Sequence, residues 1–224
     1  KKKISWLNMS EKYMSSGEKA FVSGNYGQVF ESASATNSWV GFAGTGLYGN
    51  IYDINLFNAL KLKGDYELEG KAGMNQMTYL VPASPTTIAG GRITEANYDL
   101  DLNTSYPIRN FYGFNGKLLL GLKYGMLNNS IAPTSYLALN AGLATIVSAF
   151  NRQFLTRGFY SYIPNGAMKN GSIIGSPTAL INYETGTEVE IYKTPVLIGY
   201  AGETMMINNF NRFYNMVFVR YNIL

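Results

Sequence analysis

The 224-residue chain contains no cysteine and no histidine. The first absence excludes disulfides, thiolate metal sites and a lipidated N-terminal cysteine. The second removes the side chain whose ordinary pKa lets it exchange protons near neutral pH, so imidazole-based acid–base catalysis is excluded. Charge is scarce: Asp, Glu, Lys and Arg make up 14% of residues, against about 25% in soluble domains. Long apolar runs are missing as well. No stretch approaches the roughly 20 uninterrupted apolar residues of a spanning helix, and mean hydropathy is −0.05. The net charge of +4 is modest. Apart from Lys1-Lys2-Lys3 the basic residues are scattered, which gives no nucleic-acid footprint. The chain starts without Met or an apolar signal region, so any export signal is expected to have been removed.

Aromatic residues, by contrast, reach 14%, with 18 Tyr and 12 Phe, and there are 24 Gly. A membrane barrel reconciles this with the low hydropathy, because its strands need only one apolar residue in two and its interfaces take aromatic belts. Glycines suit a sheet that must curve and bulge.

Period-two alternation carries the reading. From Leu60 to Met74 the even positions are apolar or glycine (Leu60, Leu62, Gly64, Tyr66, Leu68, Gly70, Ala72, Met74). The odd positions Lys61, Lys63, Asp65, Glu67, Glu69 and Lys71 are all charged, over about eleven residues, the length of one tilted bilayer crossing. A half-buried strand of a soluble sandwich alternates in the same way, but averages only about five or six residues. The pattern recurs where Asp99 and Asp101 oppose Tyr98, Leu100 and Leu102, and where Lys117 and Lys123 oppose Leu118, Leu120, Leu122 and Tyr124. In the C-terminal segment Arg212 and Arg220 oppose Phe213, Val217, Val219, Tyr221 and Ile223. These charged residues are expected to face a lumen. Weaker candidates lie at Asn25–Ser34, Trp39–Tyr52, Phe154–Ile163, Ala179–Tyr192 and Val196–Ile207. With Tyr136–Phe150 they predict a closed antiparallel transmembrane β-barrel of about ten strands, within a range of eight to twelve, over residues 25–224.

Connection lengths offer a parity test, since outer loops are longer than inner turns. The long links Pro82–Arg92, Asn128–Thr134 and Pro164–Pro177 all come after odd-numbered predicted strands. Pro107–Asn115 is long for an inner turn, and Asn208–Asn211 is short for an outer loop. Two segments leave alternatives open. In Tyr136–Phe150, Leu139, Leu143, Ile146, Val147 and Phe150 fit one helical stripe. A strand is favoured, with Leu137, Leu139, Leu143 and Val147 toward lipid and Ala138, Asn140, Gly142, Ala144 and Ser148 inward. Residues 1–24 form an N-terminal periplasmic extension. It is either a short amphipathic helix on the membrane or across the barrel mouth, or, as the better-supported reading, an irregular segment tied down by packing.

Other motifs weigh less. Gly44-Thr-Gly46-Leu-Tyr-Gly49 matches a dinucleotide fingerprint, but no helical stripe succeeds it, so no cofactor is expected. Asn103-Thr-Ser and Asn170-Gly-Ser match glycosylation sequons, which carry no weight if the source is bacterial. Carboxylates at i, i+2 (Glu67/Glu69, Asp99/Asp101, Glu188/Glu190) could bind cations or catalyse. The favoured reading makes them lumen charges compensated by basic neighbours, with no metal site and no catalytic residue.

The C-terminal run Arg212-Phe-Tyr-Asn-Met-Val-Phe-Val-Arg-Tyr-Asn-Ile-Leu224 resembles the final strand of bacterial outer-membrane barrels, which ends on a large apolar residue read by the barrel assembly machinery. A terminal Phe is the commoner ending, and Leu224 departs from it. The Tyr/Asn/Lys/Gly-rich texture is similar to small barrels of Bacteroidota. The resemblance implies a Gram-negative outer-membrane location and contact with outer-membrane lipid. The barrel enzymes of that membrane rely on an active-site His, so no enzyme is expected. Lysines and acids share the Leu60–Met74 inner face, which favours a salt-bridged interior over a wide pore. The expected function is a non-enzymatic structural or accessory subunit of an envelope complex with an occluded lumen and protein partners. A narrow channel for small or charged solutes is the alternative, and a soluble all-β assembly protein, of a phage or cell surface, is the third reading.

Overall fold

A computed structural model describes residues 9, 13, 18–32, 48–80, 92–111, 114–128, 134–165, 167–169, 177–207 and 210–223. Strands β1 (Lys19–Ser32), β2 (Tyr48–Lys61), β3 (Glu67–Leu80), β4 (Arg92–Phe111), β5 (Phe114–Asn128), β6 (Thr134–Ala149) and β7 (Arg152–Tyr162) succeed one another along the chain. The two-residue β8 (Met168–Lys169) precedes β9 (Pro177–Ile191), β10 (Thr194–Ile207) and β11 (Phe210–Asn222). Each long strand pairs antiparallel with its neighbour, β1 pairs with β11, and the β5–β6 pairing completes the ring. The result is a closed barrel of ten long strands, with β8 attached beside β6. Closure satisfies every wall strand on both sides and leaves no edge.

The side-chain alternation is inside out. On β2, Tyr52, Ile54 and Leu56 face outward and exposed while Ile51, Asp53 and Asn55 are buried in the lumen. On β4, Leu100 and Leu102 face outward while Asp101 and Asn103 are buried. An apolar outer belt around a polar interior is the arrangement that suits a bilayer. Strand β6 confirms the strand reading of Tyr136–Phe150: Leu137, Leu139, Leu143 and Val147 are exposed on the wall, and Ala138, Asn140 and Ala144 are buried inside.

Both described termini lie at one end, where the Ile223 amide donates to the Ala20 carbonyl at 2.8 Å. The connections 62–66, 150–151 and 192–193 lie at the same end, although β10 and β11 are separated by only two residues at the opposite one. The last two of the three are tight turns with both central residues in the left-handed region, Phe150 (φ 52) with Asn151 (φ 58) and Tyr192 (φ 48) with Lys193 (φ 66). That geometry matches the twist of the flanking strands.

Four boundaries differ from the sequence reading. Leu60–Met74 is two strands, because Gly64 (φ 78) turns the chain and the Leu62 amide bonds the Tyr66 carbonyl at 2.9 Å. Both β2 and β3 turn odd-numbered residues inward, so the alternation passes through the hairpin unbroken. The second strand, described from Tyr48, runs on to Lys61 rather than ending at Tyr52; residues 39–47 of the expected Trp39–Tyr52 strand lie outside the described residues. The first strand begins at Lys19, six positions before Asn25. Pro107 does not end a strand: β4 continues to Phe111, which shortens the link to β5 and improves the loop parity.

Candidate functional site

The barrel presents its chemistry in the lumen, in three layers. At the loop end Val29, Ile51, Met77, Tyr136, Met205 and Tyr214 belong to one buried apolar cluster. At the turn end Phe21, Leu155, Leu197 and Phe218 form another, joined by Met9 and Tyr13 from the N-terminal segment. Tyr13 stacks on Phe21 with ring centroids 5.8 Å apart, and its hydroxyl donates to Glu188 Oε2 at 3.1 Å. Burial, then the Glu188 carboxylate, push the Tyr13 phenol above its ordinary value, so it stays a donor. Met9 and Tyr13 therefore help to plug the lumen at its turn end, while Lys19 to Gly24 belong to the wall strand β1.

Between the clusters lies a ladder of ion pairs. Nearest the turn end, buried Glu67 accepts from Lys19 at 3.3 Å, from Ser105 at 3.0 Å and from Lys117. One level up, Arg157 on β7 reaches Glu69 on the far wall strand β3 at 2.6 Å, with its guanidinium over both Phe57 and Phe159. On the same level Arg220 donates to both Glu184 oxygens, at 3.0 and 2.7 Å. Above it, Lys123 pairs with Asp99 at 3.3 Å and Asp101 at 3.6 Å, and Lys71 with Asp99 at 3.5 Å. At the loop end Arg212 on β11 crosses to Glu95 on β4 at 3.1 Å. Two of these bridges, Arg157–Glu69 and Arg212–Glu95, join strands nearly opposite in the ring. Such geometry closes a bore rather than lining one.

Of the charged residues assigned to the lumen from sequence, Glu67, Glu69, Lys71, Asp99, Asp101, Lys117, Lys123, Arg212 and Arg220 are brought together there. Lys61, Lys63 and Asp65 are a correction: they are exposed at the turn, where Asp65 pairs with Arg109 at 2.9 Å on the rim. Glu190 is exposed at the end of β9, while Glu188 faces the lumen and holds Tyr13. Sequence reading missed Lys19, Asp53, Glu95, Arg157, Glu184 and Glu203. For Asp53 the signal was present, since Ile51-Tyr-Asp-Ile-Asn-Leu alternates once β2 is placed correctly. In the C-terminal strand Val217, Val219 and Tyr221 face outward and exposed, whereas Phe213 is buried, and Leu224 lies outside the described residues. Residues 44–47 of the glycine motif are outside them too, and Tyr48 and Gly49 open strand β2 rather than a helix. Among the described residues no group of three acids is placed to hold a metal ion.

No protein-family model and no curated protein matches the chain. Among solved structures, the translocator domain of the autotransporter NalP from Neisseria meningitidis aligns with a TM-score of 0.53 at 13% identity, covering 95% of this chain and 91% of that one. The two share one barrel fold. The β domain of the Bordetella autotransporter BrkA aligns at a TM-score of 0.48 and 9% identity, over 92% of this chain and 99% of that one.

The outer wall is not uniform. At mid-height β4, β5 and β6 present Leu100, Leu102, Leu120, Leu122, Leu139 and Leu143. The opposite side presents Thr156, Gly158, Tyr183, Thr185, Tyr200 and Asn215. These groups bond to one another: Thr156 with Thr185 at 3.1 Å, and the Tyr200 and Tyr183 hydroxyls to Asn215 Oδ1 at 2.5 and 3.5 Å. The Asn215 amide nitrogen has no hydrogen-bond partner among the described residues.

Proposed function

We propose that this protein is a non-enzymatic, occluded outer-membrane barrel that acts as a structural or accessory subunit of an envelope complex. The observation that carries the reading is the double closure of the lumen, apolar at both mouths and bridged between them by Arg157–Glu69 and Arg212–Glu95. The apolar belt, the C-terminal alternation and the fold shared with the NalP translocator domain support the outer-membrane location and insertion by the barrel assembly machinery. The histidine-free sequence and the largely salt-bridged lumen support a role without catalysis.

With the bore shut, function falls to the surface. The β7–β11 side of the wall suits another membrane-embedded protein that offers hydrogen-bond acceptors, because lipid tails leave the Asn215 amide donors unsatisfied. Gly158, with room above it, lets a second backbone approach. Swelling of proteoliposomes in small sugars tests occlusion, with no swelling above empty vesicles expected; rates comparable to an open porin would replace the reading with a channel. Crosslinking from position 215 in native membranes tests the wall. A discrete adduct with another protein is expected, whereas an adduct of two copies of this chain would make the barrel a self-assembling unit.

A further inference from the structure

Between the two plugs the lumen keeps a cavity of about 130 Å³. Six acidic and four basic side chains line it, an excess of two negative charges when all are ionised. The ion pairs show where the excess sits. Arg157 takes Glu69, Arg220 takes Glu184, and Lys71 and Lys123 share Asp99 and Asp101. The two left over are Asp53 on β2 and Glu203 on β10. Asp53 receives hydrogen bonds only from the amides of Asn25 and Asn55, both at 2.8 Å and both to Oδ2. Glu203 has neither an ion pair nor a hydrogen bond among the described residues.

A second observation points the same way. Seven buried polar atoms without a hydrogen bond gather at this cavity: Asp53 Oδ1, Asn55 Oδ1, Asn140 Oδ1, Asn182 Oδ1, Ser161 Oγ, Tyr214 Oη and Arg157 Nε. Asp53, Asn55 and Asn140 are 8%, 5% and 6% exposed, so bulk water does not serve them. Four of the seven are carbonyl or carboxylate oxygens, which can only accept; two are hydroxyls, and Arg157 Nε alone can only donate. An unpaired buried acceptor costs about 1–3 kcal/mol and a buried unpaired charge more. Ordered water can satisfy such acceptors, but only a cation that donates several hydrogen bonds also offsets the two excess negative charges. A bare metal ion fits poorly, since the acids are dispersed and no three of those described are clustered. An ammonium group fits, because each N–H satisfies one oxygen.

We propose that the mid-lumen cavity is a binding site for a small aliphatic ammonium ion, with Asp53 and Glu203 as its counter-charges and the orphaned Asn55, Asn140 and Asn182 oxygens as acceptors. A diammonium ion matches the excess charge. In size the cavity is comparable to the ~150 Å³ cavity known to take benzene, which sets the ligand at about six non-hydrogen atoms. The inference does not depend on whether the lumen conducts.

The probe is 1,4-diaminobutane, with 1,4-butanediol as its neutral analogue and KCl at matched ionic strength. The barrel is refolded from urea into detergent with each compound, so that entry past the plugs is not required. After gel filtration, retained compound is measured by mass spectrometry and folding by heat-modifiable migration on gels. The expected result is one diamine retained per barrel, a raised melting temperature, and no retention of the diol. The D53N/E203Q double variant should fold, melt higher than the wild type without ligand, and retain at least tenfold less diamine. Absence of retention, with the cavity holding only water or the two carboxylates carrying protons, would overturn the proposal. So would equal stabilisation by KCl, or retention unchanged in the double variant.

Discussion

Replacing Arg157 by Met is the perturbation that most directly probes the closed lumen. Met keeps the stem and the contact with Phe57 and Phe159 but deletes the guanidinium that reaches Glu69 at 2.6 Å and Glu184 at 3.9 Å. Glu184 retains Arg220 at 2.7 Å. Glu69 has no second ion pair among the described residues and is 5% exposed, so it is left as a buried, uncompensated carboxylate. Breaking a buried pair from one side costs about 3–5 kcal/mol. The two cation–π contacts, at 5.3 and 5.4 Å, add roughly 0.5–2 kcal/mol. R157M should therefore unfold at clearly lower urea, by about 3.5–7 kcal/mol in reversible folding from detergent. E69Q removes the stranded charge, and the R157M/E69Q pair should recover at least about 2 kcal/mol relative to the sum of the singles. Additive effects, or a loss below about 1 kcal/mol for R157M, would refute the claim that this pair ties opposite walls together.

The plugs and the wall lead to further expected outcomes. A Cβ on Gly125 would overlap the Tyr136 ring that covers it, so G125V should cost about 1–3 kcal/mol and displace the loop-end plug, read as new access of a small aqueous quencher to Tyr fluorescence. Tyr13 is held neutral by burial and by Glu188. A raised phenol pKa contributes stability that is complete below its unfolded value of about 10 and is lost as pH rises through the higher folded value. The turn-end plug should thus resist proteolysis unchanged from pH 7 to about 10, while Y13F should loosen it at every pH. N215L should leave the isolated barrel within about 1 kcal/mol of wild type yet abolish the crosslinked or co-purifying partner; an unchanged complex would move the interface elsewhere.

Alternation made the barrel legible because it is a two-sided constraint: lipid demands one face and the salt-bridged lumen the other. The same regularity concealed the hairpin at Gly64, since β2 and β3 both turn odd residues inward and the pattern never falters. It was weakest on β7, β9 and β10, where the outward face offers Thr156, Thr185, Gly158 and Gly202 in place of leucine. Arg157, Glu184 and Glu203 were missed there for lack of contrast. The stripe of Leu139, Leu143 and Ile146 suited a helix as well as a strand, and only pairing with β5 and β7 decides it. Which charges meet is set by closure: Arg157 and Glu69 are 88 positions apart, and nothing local announces their contact. The excess of Asp53 and Glu203 is likewise visible only after every base in the lumen has been matched.

The central claim is that the bore is shut by its own side chains. Single-channel recording in planar bilayers tests it most directly, comparing the wild type with a variant in which Arg157 and Arg212 are both replaced by Ser and folding is confirmed by heat-modifiable migration. Steps only in the variant would assign the closure to the bridges, whereas a silent folded variant would assign it to the apolar clusters at the two mouths. The account predicts a silent wild type, and reproducible steps from it would contradict the account.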